Sequence, residues 1–586
     1  MIFLLFFSVF GVYLYSLPGT ISSYRDSGDL ISAASTFGIA HPPGYPTYVI
    51  PGRLWCGFFP WATASYGLNV FSALAIALAV VLLLKLFMQI FQLSAGNALV
   101  IVLFFSLTPA VWSLGQVSEM YALASLFAVG ILYAAYFGYQ ILAWFLMGLG
   151  LGVHPTLILL IPFLVGRKQY RASLFAFGMG LSVFLFLPLR ASMDPLQNWG
   201  NPSTWRNFWR VLFRADYGGL RLHPVESQFV WSPTSILDQL VYFLTLLVKE
   251  WGWIGISLAF WGMVQKKSRR LLLSFLWVGP VFFVFSNLPL GAETTPAILQ
   301  PYLVLVTLLG VLCIGSGVNT FPAGWRILFL IGLLGPFVFA CPVIRREDYY
   351  AYDYGRNLLR LLPPNAVLYE PDDPTTFTLR MFQVTEKRRL DLVLLNFFRT
   401  RWGYEQLVKR TPNLLPPVSF QNAQDLEHAF WTYSIHQRPF YAELPQKLPK
   451  ESSYTPQGLI YRLGIFPLSD NPFAFIVLRE HPSHALQDDF FTRHLLNYYA
   501  SAYCNTGLAW ANQKQWAPAQ SDYFKALVID PALTAAYNDL GILEFSLGYA
   551  AEARQYYEQG LKYAPQDPTL HENLNLLDSS KKQLKS

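Results

Sequence analysis

The sequence predicts an α-helical multi-span membrane protein, followed by a small α/β domain and a set of helical repeats. Three observations carry that prediction. Of the 586 residues, 54% are hydrophobic and only 13% charged, whereas a soluble domain carries about 25% charged residues. Apolar stretches near or above the roughly 20 residues needed to cross a bilayer recur from the amino terminus to about residue 344, and then stop. The last ninety or so residues repeat with a period of 34.

In chain order, Met1 to Leu17 is apolar with no Lys or Arg before it, and acids begin within ten residues of its end. This suits a retained first span better than a cleaved signal peptide. Further apolar runs lie at about 64–92, 96–115, 120–139, 140–166, 172–190, 236–263, 271–290, 297–318 and 326–344. Two basic clusters set the orientation. Arg167, Lys168 and Arg171 form one, Lys266, Lys267, Arg269 and Arg270 the other, and both belong on the cytoplasmic side. The loop at 191–235 then faces outside. The run at 140–166 decides the rest, because Gly148, Gly150, Gly152 and the pair His154-Pro155 interrupt it. Read as two half-helices, it puts residues 18–63 outside too; read as one straight span, it puts them inside. Broken helices at membrane depth are tolerated where they line protein or a cavity, so the broken reading is adopted. It gives about eleven spans, an inner amino terminus and an outer segment after Val343.

Beyond Arg345 charges and prolines become frequent and no run is long enough to span. Asn365 to Glu370 and Asp391 to Phe397 read as strands around a helix from Thr375 to Thr385. In the last segment Tyr503, Gly507, Ala519, Tyr523, Ala526 and Pro531 recur as Tyr537, Gly541, Ala553, Tyr557, Gly560 and Pro565. These are the small and aromatic packing sites of tetratricopeptide helix pairs, with a truncated third unit from His571. The expected domains are therefore 1–345 in the membrane, 346–497 as the α/β domain and 498–586 as the repeats. Two repeats bury little alone and call for packing on the preceding domain or on a protein partner.

Other classes are disfavoured. No basic run is interleaved with aromatics, which argues against a nucleic-acid partner. Cys56, Cys313, Cys341 and Cys504 are far apart and form no CxxC or Cys/His cluster, so neither a disulfide framework nor a metal site is inferred, and no cofactor is expected.

The chemistry concentrates in Arg25-Asp26-Ser27-Gly28-Asp29 and, twelve residues on, His41-Pro42-Pro43-Gly44-Tyr45-Pro46. Charge beside a bilayer is costly and needs a reason. Asp26 and Asp29 lie three apart, so a helix starting at Ser27 puts both on one face near its positive end. An ionised carboxylate there can act as general base toward an attacking hydroxyl. The plainer alternative is that Asp26 only caps the helix. The proline-rich turn at His41 would hold polar groups rigidly beside the acids, or is simply a turn.

These residues resemble the opening signature of a family of multi-span proteins with the GT-C glycosyltransferase architecture, which includes the animal transmembrane O-mannosyltransferase of plexin-type ectodomains. The likeness rests on Asp26-Ser27-Gly28-Asp29-Leu30-Ile31, Ala40 to Pro46 and Gly52-Arg53-Leu54, and continues in Ser118-Glu119-Met120-Tyr121-Ala122-Leu123. Leu187-Pro188-Leu189-Arg190 with Asn198-Trp199-Gly200-Asn201-Pro202 is similar to an outer-loop motif of the family, though Asn201 stands where an aspartate is usual. Ala351 to Asn357 resembles the start of its outer domain. A later acidic turn, Glu370-Pro371-Asp372-Asp373-Pro374-Thr375, departs from the family's form.

The resemblance implies transfer of a sugar, with mannose favoured, from a polyprenyl phosphate to an extracytoplasmic acceptor. The acceptor is a protein hydroxyl, a glycan or a lipid, and the anomeric carbon is inverted. Asp26 and Asp29 are then the candidate catalytic acids. Arg53 and Arg190 are candidates to meet the leaving phosphate, or else snorkel to the interface. His41 either bonds phosphate or sugar, or is structural. Glu119 either orients the acceptor or pairs with Arg25. Tyr121, Asn198 and Trp199 complete the expected donor- or acceptor-binding set. Trp199, Trp205 and Trp209 either stack on sugar or belong to an interfacial belt.

The expected setting is the plasma (inner) membrane, with the carboxy-terminal domains outside and the repeats available to a protein partner. The competing class is a transporter or flippase for lipid-linked saccharide, or a scaffold. A transporter would show inverted repeats and mid-span charges, and no such symmetry is evident.

Overall fold

The computed structural model describes the chain except for residues 166–168, 220–231, 266–267, 287, 340–342, 371, 397–400, 415–432, 434–435, 446–451, 480–488 and 584–586. Two compact units result: Met1–Tyr349 with Arg380–Glu386, and Tyr350–Leu379 with Lys387–Ser586.

The first unit is helical. It opens with α1 (Ile2–Ser16), α2 (Ser27–Thr36), α3 (Pro46–Phe58), α4 (Ala64–Gln89), α5 (Ala95–Leu107), α6 (Pro109–Gly115), α7 (Met120–Tyr136) and α8 (Gln140–Leu151). Thr63 and Ser94 start α4 and α5 as side-chain caps, satisfying amides that have no helical partner. Between α5 and α6 the chain bends by 69°, where Pro109 supplies no N–H and takes the first helical position. The Glu250 carboxylate accepts the amide of Ala110 at 3.0 Å. Glu250 stands two residues before Gly252, whose φ of 63° and ψ of 173° interrupt the helix Pro233–Met263.

Among the described residues five helices are long and apolar enough to cross a membrane: Ala64–Gln89, Tyr170–Ala191, Pro233–Met263, Arg269–Ser286 and Thr294–Val318. The bent pair α5 and α6 would make a sixth. The expected total of about eleven full spans is not reached by this measure. The remaining apolar runs fold as helices of 10–17 residues, including α1, α7, α8, Pro155–Leu164 and Gly324–Gly335. The expected break in 140–166 is present: α8 stops at Leu151, and a 3₁₀ turn, Pro155–Leu160, leads into Ile161–Leu164. Of the basic clusters, Arg167, Lys168, Lys266 and Lys267 lie outside the described residues, as does Cys341.

In the second unit five strands, β1 (Val367–Tyr369), β2 (Val393–Leu394), β3 (Phe440–Ala442), β4 (Tyr454–Gln457) and β5 (Ile460–Leu463), form one sheet of order 2-1-3-5-4. β1 runs parallel to β2 and β3, and the β4–β5 hairpin adds antiparallel to β3. The helix Asp373–Thr385 lies between β1 and β2 in sequence. The chain ends in five helices, Phe490–Asn512, Trp516–Ile529, Thr534–Ser546, Ala550–Tyr563 and Pro568–Gln583. A side chain at Gly507 would meet the Tyr523 ring at 2.7 Å, and one at Gly541 the Tyr557 ring at 2.2 Å. One close helix contact thus recurs at the 34-residue period.

Candidate active site

The short helix α2 and the loops on either side of it gather the site. Its amino-terminal residue in non-helical conformation is Asp26, whose side chain makes no capping hydrogen bond. The plain capping role is therefore absent, and the carboxylate, 34% exposed, is turned elsewhere. Arg25 before it and Tyr45 at the start of α3 hold φ of 50° and 45°, a left-handed conformation that costs non-glycine residues energy and clusters at functional sites.

Asp29, one turn on, has no solvent exposure and collects four donors. Its Oδ2 accepts the His41 amide at 2.9 Å and lies 2.8 Å from His41 Nδ1; its Oδ1 accepts Gln197 Nε2 and Trp199 Nε1, each at 2.6 Å. A carboxylate offers about four lone-pair sites, so Asp29 is saturated. Gln197 is itself fixed, because its Oε1 accepts from Arg380 Nε at 3.1 Å. Gly200 has a φ of 67°, and a side chain there would strike Val211; the glycine makes the turn beyond Trp199. Ile39 and Asn198 form a parallel bridge that joins the two loops.

His41 links the acids. With Nδ1 on Asp29, its Nε2 sits 3.5 Å from Asp26 Oδ2. Burial works against the imidazolium, but the charge of Asp26, the bond to Asp29 and the charges of Asp29 and Glu119 outweigh it and raise the pKa to about 9. The ring is therefore a cation at neutral pH, held between two carboxyl groups. Glu119, at the start of α7, is fully buried and accepts the Asp26 amide at 2.9 Å through Oε1; its Oε2 has no hydrogen-bond partner. Burial and then the charge of Asp26 push its pKa well up, against the pull of Arg25. Glu119 thus holds the backbone amide of Asp26 and feels the charge of Arg25.

A ladder of rings continues from His41. Tyr45 lies 5.0 Å from His41 and stacks with His154 at 6.2 Å; Tyr121 lies 4.7 Å from His154 and 6.2 Å from Tyr302. Tyr121 therefore joins the site. Asn198 bonds Asn201 through Nδ2 at 3.3 Å and leaves its buried Oδ1 without a partner. Trp199 is buried against Asp29, whereas Trp205 and Trp209 are exposed and pack on each other.

Arg53 and Arg190 are occupied at the far end of α2. Arg53 Nη1 donates to the Ser35 carbonyl at 2.7 Å, and Arg190 Nε donates to the Phe37 carbonyl with its guanidinium over the Phe37 ring. Both cap the carbonyl end of that helix, which favours cations.

Three residues were missed from the sequence. Gln197 immediately precedes the Asn198-Trp199 motif and could have been found by its neighbours. Arg380 carries no local signal, since it arrives on a helix that begins in the other unit. Arg214 is one of several arginines in its loop; its buried Nε has no hydrogen-bond partner, and its charge opposes the upward push of burial on the Tyr45 phenol.

Residues 26–173 match the family described as the protein O-mannosyl-transferase TMEM260 N-terminal domain. The chain is 26% identical over 466 residues to the mouse protein O-mannosyl-transferase TMEM260, covering 71% of this chain and 65% of that one. It is 23% identical over 482 residues to the Dictyostelium discoideum protein of the same name, covering 70% and 58%. It thus spans somewhat less than two thirds of these relatives' length. Among solved structures, ArnT from Cupriavidus metallidurans bound to undecaprenyl phosphate is 13% identical with a TM-score of 0.48, over 81% of this chain and 99% of that one.

Proposed function

We propose, from the match of residues 26–173 to the family described as the protein O-mannosyl-transferase TMEM260 N-terminal domain, that this chain is a GT-C-type inverting glycosyltransferase. It moves a sugar, with mannose favoured, from a polyprenyl phosphate to an extracytoplasmic acceptor, most simply a protein hydroxyl. The observation that carries the reading is the division of labour between two neighbouring acids. Asp29 is spent on four donors, and Asp26 keeps an open carboxylate beside a cationic His41.

Asp26 acts as the general base. As the acceptor oxygen bonds to the anomeric carbon, its proton passes to Asp26, and the bond from that carbon to the phosphate oxygen breaks. Asp29 takes no proton; it orients the imidazole, which in turn positions the Asp26 carboxylate. The lipid phosphate gathers charge as it leaves, and preorganised positive groups there contribute most to the rate. Arg214 suits that role better than Arg53 or Arg190, whose guanidinium groups are engaged with backbone carbonyls. The aromatic ladder offers faces for the sugar. The reading puts residues 18–63 and the second unit on the non-cytoplasmic side of the plasma membrane. It also takes the carboxy-terminal helices as tetratricopeptide repeats that present a polypeptide.

The test is reconstitution in vesicles with polyprenyl-phosphate mannose and a Ser/Thr-bearing polypeptide. The expected result is mannose on the polypeptide, with inverted anomeric configuration and stoichiometric release of polyprenyl phosphate. Movement of the intact lipid-linked sugar across the bilayer without transfer would overturn the reading in favour of a transporter.

A further inference from the structure

Of the acidic turn that departs from the family's form, Glu370 follows β1 of the second unit and Asp373 to Thr375 open the next helix. The strand order 2-1-3 means that the chain leaves β1 for β2 on one side and later returns to β3 on the other. The gap between the carboxyl ends of β1 and β3 is therefore the topological switch point, where ligands bind in open α/β sheets. Glu370 follows β1 directly and Glu443 follows β3 directly, with the Glu443 amide continuing the ladder onto the Tyr369 carbonyl at 3.1 Å.

Both carboxyl groups are almost fully buried and only half used. Glu370 Oε2 accepts the Asn396 amide at 3.0 Å, but Oε1 has no hydrogen-bond partner. Glu443 Oε1 accepts the Tyr354 hydroxyl, and Oε2 has no partner. A third orphan, the hydroxyl of buried Thr375, stands in the first turn of the adjoining helix. Buried polar atoms are rarely left unpaired, and each asks for an explanation.

The remaining groups around them are known. Asp372 caps that helix through the Thr375 amide at 2.9 Å; its other oxygen accepts the Tyr498 hydroxyl at 2.7 Å and pairs with His494 at 3.2 Å. Asp372 and His494 are both partly exposed to solvent. Among the described residues, His494 is the only basic group paired with any of the three acids. Two acceptor oxygens, a hydroxyl and a deficit of positive charge are the complement of a cation rich in N–H donors.

We propose that the β1–β3 switch point of the second unit is a binding site for the basic side chain of a polypeptide, a guanidinium or ammonium group received by Glu370, Glu443 and Thr375. The inference does not depend on the transfer reaction. Burial holds the Glu370 pKa up at about 8 and pushes that of Glu443 well above the usual carboxylate range, with Asp372 and Glu370 raising it further. An arriving cation replaces the missing counter-charge and releases protons.

The experiment is calorimetric titration of the full-length purified chain with N-acetyl-arginine amide, with mannose as the neutral comparison. The expected result is saturable binding of the arginine compound that tightens as pH rises through about 8 and releases protons. Glu443→Gln and Glu370→Gln, which keep shape, should weaken it about tenfold or more. Thr375→Ala should weaken it less and keep the parent's melting temperature, and the two Gln variants should be no less stable than the parent. No binding, binding indifferent to both Gln variants, or binding of mannose in place of the cation would each overturn the proposal. If the Gln variants unfold, Thr375→Ala alone decides, since loss of affinity supports the site and unchanged affinity refutes it.

Discussion

Asp29 and Glu370 are both carboxyl groups with no exposure, yet Asp29 collects four donors while one oxygen of Glu370 has none. The difference lies in what their loops bring. Around Asp29 a cationic imidazole, an indole and an amide converge, so a buried carboxyl group is matched by donors. Around Glu370 and Glu443 the neighbours are backbone amides, hydroxyl groups and another acid, so burial prevails and the proton stays on. A buried carboxyl group is therefore a charge or a neutral acid according to its donors, and its depth alone does not decide.

The largest effect that would break this contrast is on Asp29. Asp29→Asn puts an amide against donors and should destabilise the chain by about 2–4 kcal/mol, because buried donors lose their acceptor; thermal unfolding in detergent measures it. An unchanged melting temperature would mean that the four contacts carry no stability. Trp199→Phe removes one of those donors and keeps the ring, for an expected loss of about 1 kcal/mol by the same measurement.

The pH dependence sharpens the contrast further. The folded-state pKa of His41, about 9, lies above the ordinary histidine value. Its contribution is therefore fully present below that ordinary value and is lost as pH rises through about 9. Comparing the melting temperature of the parent with that of His41→Gln across this window should show a steeper decline in the parent. Glu370 is an acid with a raised pKa, so the folded state holds a proton that the unfolded state gives up. Its penalty grows as pH rises from the ordinary carboxylate range to about 8 and then levels off, and Glu370→Gln should flatten that decline. The smallest expected effect is from chelator: no group of three His, Cys, Asp or Glu able to hold a metal occurs among the described residues, and the transfer rate should not change.

How legible these features were in the sequence depends on whether their cause is local. The break at His154 and the strands Val367–Tyr369 and Val393–Leu394 follow from glycines, prolines and short apolar runs within a few residues. Among the described residues the helices long enough to span number five, or six with the bent pair, fewer than the apolar runs, because hydropathy marks an apolar run and not whether it stays one helix. At the site, Asp26, Asp29 and His41 were readable from their spacing and from the family likeness. That Asp29 is the anchor was not, since its donors come from Gln197 and Trp199, some 170 residues away, and the support for Gln197 comes from Arg380. Arg53 and Arg190 drew attention by charge, whereas their partners are carbonyls of α2 that no sequence pattern marks.

The most direct test of the division between the two acids is single-turnover transfer by Asp26→Asn, with donor binding and melting temperature measured on the same preparation. The expected result is transfer reduced on the order of 10²–10⁴-fold, with donor affinity and stability kept. Transfer at the parental rate would contradict it and remove Asp26 as the base.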